Sequence, residues 1–157
     1  SWHCGMLAAL AEALPGRDVF ALDSFQGLPD PGEHDSDRDR ALVEKDRLVA
    51  AERIGRDTLA RQPGPFQVVP GWFVDTLPTL PVEQIAVLRL DADLYESTLV
   101  CLEHLFPKVA PGGLVLIDDY EFLDGCTRAV HDYLSRHRRT EAIQRIGRSM
   151  TTWLVKA

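Results

Sequence analysis

Ile85-Ala-Val-Leu-Arg-Leu-Asp-Ala-Asp-Leu-Tyr-Glu-Ser-Thr98 is an apolar run that ends in acid and then changes its period. Residues 85–91 have the length of a buried strand, and Leu99, Leu102, Phe106 and Val109 then recur at helical spacing across about Tyr95 to Val109. Pro111-Gly-Gly113 predicts the end of that helix, and Leu114–Asp118 reads as a second strand covered on both faces. It too ends in carboxylates, Asp118 and Asp119. A strand, a right-handed helical crossover and a parallel strand normally lie side by side, with neighbours about 4.8 Å apart. Asp91 is then expected close to Asp118 and Asp119, at the carboxyl edge where open α/β sheets bind ligands. Carboxylates that close raise one another's pKa. A hard divalent cation relieves the conflict, and an all-oxygen donor set suits Mg²⁺. Asp93 and Asp124 read more simply as helix caps.

The same alternation extends outward. Residues 3–14 read as a helix stopped by Pro15-Gly16, Asp18–Asp23 as a strand, and Ser24-Phe-Gln-Gly-Leu-Pro29 as a loop. Residues 33–57 carry eight acidic and six basic side chains. A helix is expected from about Arg38 to Arg61, with Val43, Leu48, Ala51 and Ile54 as a partial apolar stripe, so that 33–61 forms a charged, solvated lid or surface helix. Phe66–Val69 follows as a strand, Pro70-Gly71 as a turn and Trp72–Leu77 as a short helix. Beyond the second acidic strand come a helix over roughly Phe122–His137 and two strands, Glu141–Gly147 and Thr151–Lys156, paired as a hairpin. Repeated strand–helix units of this kind specify an α/β domain with a mostly parallel sheet.

The 157 residues suit a single domain spanning 1–157. A net charge of −7 and a pI near 5.1 argue against nucleic acid or an anionic membrane as partner. The longest apolar stretches are too short to span a bilayer. Three cysteines without CxxC spacing fit a reduced cytoplasmic protein better than a disulfide scaffold. Met6–Leu14 lacks the basic flank of a signal peptide, and the segment reads as a helix cut off from whatever preceded it, so that the chain is expected to begin inside something larger.

Three further places have the chemistry of a nucleoside site. Asp23 ends a strand, where an acid accepts hydrogen bonds from ribose hydroxyls. Ser1-Trp-His-Cys-Gly5 precedes the first helix, whose free N–H groups suit a carboxylate or phosphate. Gly71-Trp72-Phe73 offers an aromatic face for a planar base, or else belongs to the core.

Taken in order, Asp23-Ser-Phe-Gln-Gly-Leu-Pro29, Pro70-Gly-Trp-Phe-Val-Asp-Thr-Leu-Pro78, Leu90-Asp-Ala-Asp-Leu-Tyr-Glu-Ser-Thr98, Pro111-Gly-Gly113 and Ile117-Asp-Asp-Tyr120 resemble the macrocin O-methyltransferase (TylF-type) family. The resemblance implies a class I methyltransferase fold, a Rossmann-like three-layer sandwich with a mostly parallel sheet and a C-terminal antiparallel hairpin, whose first, central strand is expected before Ser1. It also implies S-adenosylmethionine and Mg²⁺ as cofactors, and methylation of a sugar hydroxyl in antibiotic biosynthesis. Its metal pattern falls on Asp91, Asp118 and Asp119, the residues reached above from strand geometry. Its cofactor pattern falls on Ser1, Trp2 and Gly5, on Asp23, Ser24, Phe25 and Gly27, and on Gly71 and Trp72.

On this reading Mg²⁺ chelates two neighbouring hydroxyls of a small-molecule acceptor, orienting one and lowering its pKa. Asp91 is the first candidate for the base, with His3 as the second. Trp72, Tyr95 and Ser97 are the candidate acceptor contacts, although Ser97 and Thr98 also suit helix capping. Homo-oligomerisation is left open. A phosphohydrolase of the haloacid dehalogenase type is the chemical rival, since Asp91-Ala-Asp93 resembles its nucleophile and acid/base pair. No Gly-Thr follows Asp93, however, and the interval to Asp118 leaves no room for the intermediate motifs. A non-catalytic interaction module, using Arg136, Arg138, Arg139, Arg145 and Arg148, is the other alternative.

Overall fold

The computed structural model describes residues 4–43, 49, 51–62, 64–147 and 149–157. They form two compact units, Ser1–Asp30 with Glu44–Thr76, and Pro31–Val43 with Leu77–Ala157.

In the first unit, helix α1 (Gly5–Ala13) leads to strand β1 (Val19–Asp23), and α3 (Glu52–Leu59) to β2 (Phe66–Pro70) and the short α4 (Phe73–Thr76). β1 and β2 pair in parallel from Val19 opposite Phe66 to Asp23 opposite Pro70. Cys4, Ala21, Leu59 and Val68 form the core, with Leu7, Phe25 and Phe66 packed against it. α3 approaches this core through Gly55, where a Cβ would stand 3.1 Å from Cys4 Sγ and 3.6 Å from Phe25 Cε1. The expected apolar stripe is therefore corrected: Gly55 and Leu59 face inward, whereas Ile54 is 36% exposed. The continuous helix from Arg38 to Arg61 is also corrected. The chain leaves α2 (Asp37–Leu42) at Val43 with extended backbone, φ −76° and ψ 101°, and α3 begins at Glu52 after Ala51, which is extended as well. Leu48 lies outside the described residues.

The second unit holds α2, β3 (Ile85–Leu90), α5 (Tyr95–Leu105), β4 (Val109–Ile117), α6 (Asp124–Arg136), β5 (Gln144–Arg145) and β6 (Thr152–Val155). Its sheet order is β3-β4-β6-β5, with β3 and β4 parallel and the C-terminal strands antiparallel. Leu102, Phe106, Val115, Ile117, Ala129, Val130 and Tyr133 are buried in its core. The helix expected to reach Val109 stops at Leu105, because Pro107 forces a 3-10 turn, Phe106–Lys108. β4 already includes Pro111-Gly-Gly113, which was expected to be a connection. Backbone bonds explain this: Gly112 N–H donates to the Lys156 carbonyl at 2.8 Å, and Lys156 N–H donates to that of Gly113 at 2.9 Å. Gly113 also permits close strand packing, since a Cβ would lie 3.1 Å from the Ala86 carbonyl oxygen.

The charged stretch around α2 departs most from expectation. Asp35 and Asp39, read as part of a solvated face, are 5% and 0% exposed. Leu94 and Leu123 occupy the N-cap positions of α5 and α6 and offer no capping side chain. Asp35 Oδ1 instead accepts the Tyr95 N–H at 2.8 Å, and the two Asp39 oxygens accept those of Asp124 and Gly125 at 2.9 and 2.8 Å. Acids at helix N-termini satisfy orphan donors and complement the dipole. The caps expected from Asp93 and Asp124 are thus supplied from outside both helices. Burial by itself would raise the Asp39 pKa, but hydrogen bonds from Ser36, Asp124 and Gly125 hold it below 3.8.

Among the described residues, no helix is long and apolar enough to cross a membrane. Cys4, Cys101 and Cys126 are buried free thiols.

Replacing Asp39 by Ala is expected to cost about 1–2 kcal/mol, the usual value of a lost helix cap, read from urea unfolding at neutral pH. The difference should shrink as the pH falls from the ordinary 3.8, where the unfolded chain takes up its proton, through the lowered pKa of the folded chain, where the cap itself is protonated. Gly125→Ala places a methyl against Asp35 Oδ1. It should lower the melting temperature while leaving an exposed-site control, Gly147→Asn, near wild type.

Candidate functional site

The parallel register sets Leu90 opposite Ile117, and the Asp118 N–H donates to the Leu90 carbonyl at 2.9 Å, one step beyond the strands. This aligns the two acidic strand ends as the sequence suggests. Just beyond Asp91 the backbone tightens: Leu94 N–H donates to the Ala92 carbonyl at 2.7 Å, and Asp93 adopts φ 59°. Asp tolerates this left-handed conformation better than most residues. One carboxylate oxygen from each of Asp91, Asp93 and Asp119 then falls within 4.8 Å of the others.

Asp118 faces other partners. Its Oδ2 accepts from Arg89 Nη2 at 2.6 Å, and its Oδ1 accepts from the Thr151 hydroxyl at 2.8 Å. Arg89 Nη1 donates to Asp91 Oδ2 at 2.8 Å. Asp91 and Asp119 therefore belong both to the expected metal set and to the observed cluster, and Asp93, which the sequence suggested as a helix cap, joins them. The sequence signal for Asp93 was the Asp-x-Asp spacing at a strand exit, where a tight turn folds the second acid back beside the first.

The electrostatics separate these acids. Burial, followed by repulsion from Asp93, Asp91 and Asp118, pushes Asp119 up to about 8. Its Oδ2 is buried without a hydrogen-bond partner. Burial also opposes ionisation of Asp91, but the Arg89 charge and hydrogen bonding outweigh it and hold Asp91 below the usual carboxylate value. A buried oxygen without a donor, inside a cluster of acids, is what a divalent cation satisfies. The residues fit Mg²⁺.

The remaining candidates in this unit have mixed surroundings. Tyr95 is 3% exposed, its hydroxyl donates to Asp132 at 3.0 Å, and its ring packs against His34. Ser97 is half-buried on α5, and neither it nor Thr98 occupies the N-cap position. Tyr120 and His131, which the sequence reading did not single out, join through Oη and Nε2 at 2.7 Å.

In the first unit, Asp23 stands at the end of β1, and its Oδ1 accepts the Phe25 N–H at 2.8 Å. Phe25 (φ 55°) and Gly27 (φ 84°) are both left-handed, and the Ser24 hydroxyl donates to the Gly27 carbonyl at 2.8 Å. The Phe25 ring packs against the core. Gly71, at φ 135°, donates its N–H to the Asp23 carbonyl at 3.0 Å, which ties this turn to the half-buried Trp72 segment. Gly5 begins α1 with open space beside its Cα, and the Cys4 side chain does not cap that helix. Ser1, Trp2 and His3 lie outside the described residues.

Residues 3–155 match the family model for macrocin O-methyltransferases (TylF). The tetracenomycin-pathway enzyme of Streptomyces olivaceus, 8-demethyl-8-(2,3-dimethoxy-alpha-L-rhamnosyl)-tetracenomycin-C 4'-O-methyltransferase, is 41% identical over 143 residues, covering 87% of this chain and 54% of its own. Demethyldecarbamoylnovobiocin O-methyltransferase of Streptomyces niveus is 39% identical over 161 residues, covering 96% of this chain and 60% of its own. The chain therefore spans somewhat more than half the length of these relatives. Among solved structures, the O-methyltransferase NovP superposes with a TM-score of 0.82 at 36% identity, covering 99% of this chain and 69% of that one. A Bacillus cereus O-methyltransferase in complex with SAH shares the fold at a TM-score of 0.51 and 13% identity, over 96% of this chain and 79% of its own. The α/β alternation is thus that of class I methyltransferases, and the phosphohydrolase reading falls away. By a match running through both acidic strand ends and nearly the whole chain, this protein belongs to the macrocin O-methyltransferase (TylF) family.

Proposed function

We propose that this chain carries the catalytic chemistry of an S-adenosylmethionine- and Mg²⁺-dependent O-methyltransferase acting on a sugar hydroxyl of a natural product. The observation that carries the reading is the strand-edge cluster of Asp91, Asp93 and Asp119, with the buried Asp119 Oδ2 lacking a donor. The Streptomyces olivaceus relative is named for a rhamnosyl-bearing tetracenomycin, which supports a sugar hydroxyl as acceptor. The buried free cysteines suit a reducing cytoplasm.

Asp91 and Asp119 hold the cation. The third place falls to Asp93, already beside them, or to Asp118, whose oxygens accept one bond each from Arg89 and Thr151 and keep a second lone pair. When bound, Mg²⁺ supplies a Lewis acid and a template for vicinal hydroxyls. Asp91, kept ionised by Arg89, is in the state that accepts a proton from the acceptor. For the cofactor, Asp23 at the end of β1 suits the ribose hydroxyls, and the start of α1 at Gly5, where Cys4 forms no side-chain cap, suits the methionine carboxylate. Ser24, Phe25 and Gly27 hold the Asp23 turn, while Gly71 and Trp72 border the adenine or the acceptor. Ser1 and Trp2, outside the described residues, are further cofactor candidates by the family motif, and Tyr95 and Ser97 are the acceptor candidates.

Activity should vanish in excess chelator and return with Mg²⁺; full activity in chelator overturns the metal role. Asp119→Asn should abolish Mg²⁺ binding by calorimetry, and Asp93→Asn beside Asp118→Asn decides the third ligand. Asp23→Asn should weaken S-adenosylmethionine binding by about tenfold or more, the worth of a charge-assisted hydrogen bond.

A pH dependence follows from Asp119. The folded chain keeps its proton up to about 8, whereas the unfolded chain releases it near 3.8. Metal-free stability should therefore decline as the pH rises from about 4 to about 8, and Asp119→Asn should remove that part of the decline. A cation must displace the same proton, so the Mg²⁺-induced rise in melting temperature should grow towards pH 8 and then level.

A further inference from the structure

Arg89 is the sole charged residue of the run Ile85–Leu90, and its side chain is only 9% exposed. A guanidinium so far from water needs carboxylate partners to persist. Its two head nitrogens reach Asp91 Oδ2 at 2.8 Å and Asp118 Oδ2 at 2.6 Å. Asp91 continues β3 two residues beyond Arg89, and Asp118 continues the neighbouring β4. One planar group thus ties together the ends of two strands, and Thr151 fixes the other oxygen of Asp118. The rigid fork of Arg can hold two carboxylates at once, whereas the ammonium of Lys is a point charge on a flexible stem.

We infer that Arg89 is a positioning residue: by gripping Asp91 and Asp118 through their Oδ2 atoms, it sets the carboxylate arrangement that receives a divalent cation. This rests on the metal reading proposed above. Two effects of Arg89 oppose each other. Its positive charge repels a cation, so charge removal alone would tighten binding. Its fork orients the acids, and groups that orient metal ligands typically change affinity by about 10–100-fold when removed. Orientation dominates here, because acids released from the guanidinium repel one another and turn apart.

The test is calorimetric titration of Mg²⁺ into the wild-type chain, Arg89→Gln and Arg89→Lys, with thermal melts in chelator to establish folding. Both variants should bind Mg²⁺ about tenfold or more weakly, Arg89→Lys included although it keeps the charge. Unchanged or tighter binding by Arg89→Gln overturns the inference, as does full affinity in Arg89→Lys. If Arg89→Gln shows no cooperative melt, Arg89→Lys decides alone. A wild-type chain that binds no Mg²⁺ overturns the metal reading itself, and the inference with it. Weaker variants beside a binding wild type support both.

Discussion

Like charge at the carboxyl edge of the sheet is the constraint around which the second unit is organised. Asp91, Asp93 and Asp119 converge within 4.8 Å, and Asp118 stands beside them on Arg89. Ionised carboxylates at such range destabilise one another unless positive charge is supplied. The fold supplies part of it through a nearly buried guanidinium bridging the two strand ends. A proton on Asp119 relieves part of the remainder, since burial and its acidic neighbours push that group up to about 8. On the metal reading proposed above, a cation would enter by exchanging for that proton, which would link metal affinity to pH without any moving part.

A second set of carboxylates does structural work nearby in the same unit. Asp35 and Asp39 lie in a segment that composition marks as solvated, yet both are buried at helix N-termini. Helices α5 and α6 begin directly after the acidic strand ends, so the accuracy of the cluster depends on where these helices start. Leucine at both N-cap positions leaves their first N–H groups unsatisfied. The charged segment satisfies them, and Gly125 keeps room for the Asp35 carboxylate that does so. Acid is thus used twice: hydrogen-bonded at the helix starts, and crowded at the site, where Asp119 Oδ2 lacks a donor.

Much of this was legible in the chain. The apolar runs ending at Asp91 and Asp118 specified neighbouring parallel strands, because parallel pairing through a helical crossover leaves few alternatives. Asp91 and Asp119 follow directly from that register, and Asp23 follows from its own strand end. Other features were illegible for local reasons. Pro111-Gly-Gly113 has the composition of a turn, and only the backbone bonds with Lys156 make it part of a strand. The role of Asp93 depended on a left-handed backbone at one residue. Ile54 and Gly55 exchanged places because close approach to Cys4 and Phe25 favours no side chain over an apolar one.

The sequence by itself therefore determined the α/β alternation and the acidic strand ends, which rest on periodicity and on the pairing of successive strands, while its motifs carried the family. Tertiary structure decided which oxygen of each acid meets which partner. Arg89 reaches Asp118 across 29 residues, Asp35 reaches Tyr95 across 60, and Asp39 reaches Gly125 across 86. A composition-based reading assigns a charged residue to water by default. Burial overrides that default only where a distant group supplies the compensating hydrogen bond or charge, and the folded chain alone brings the two together.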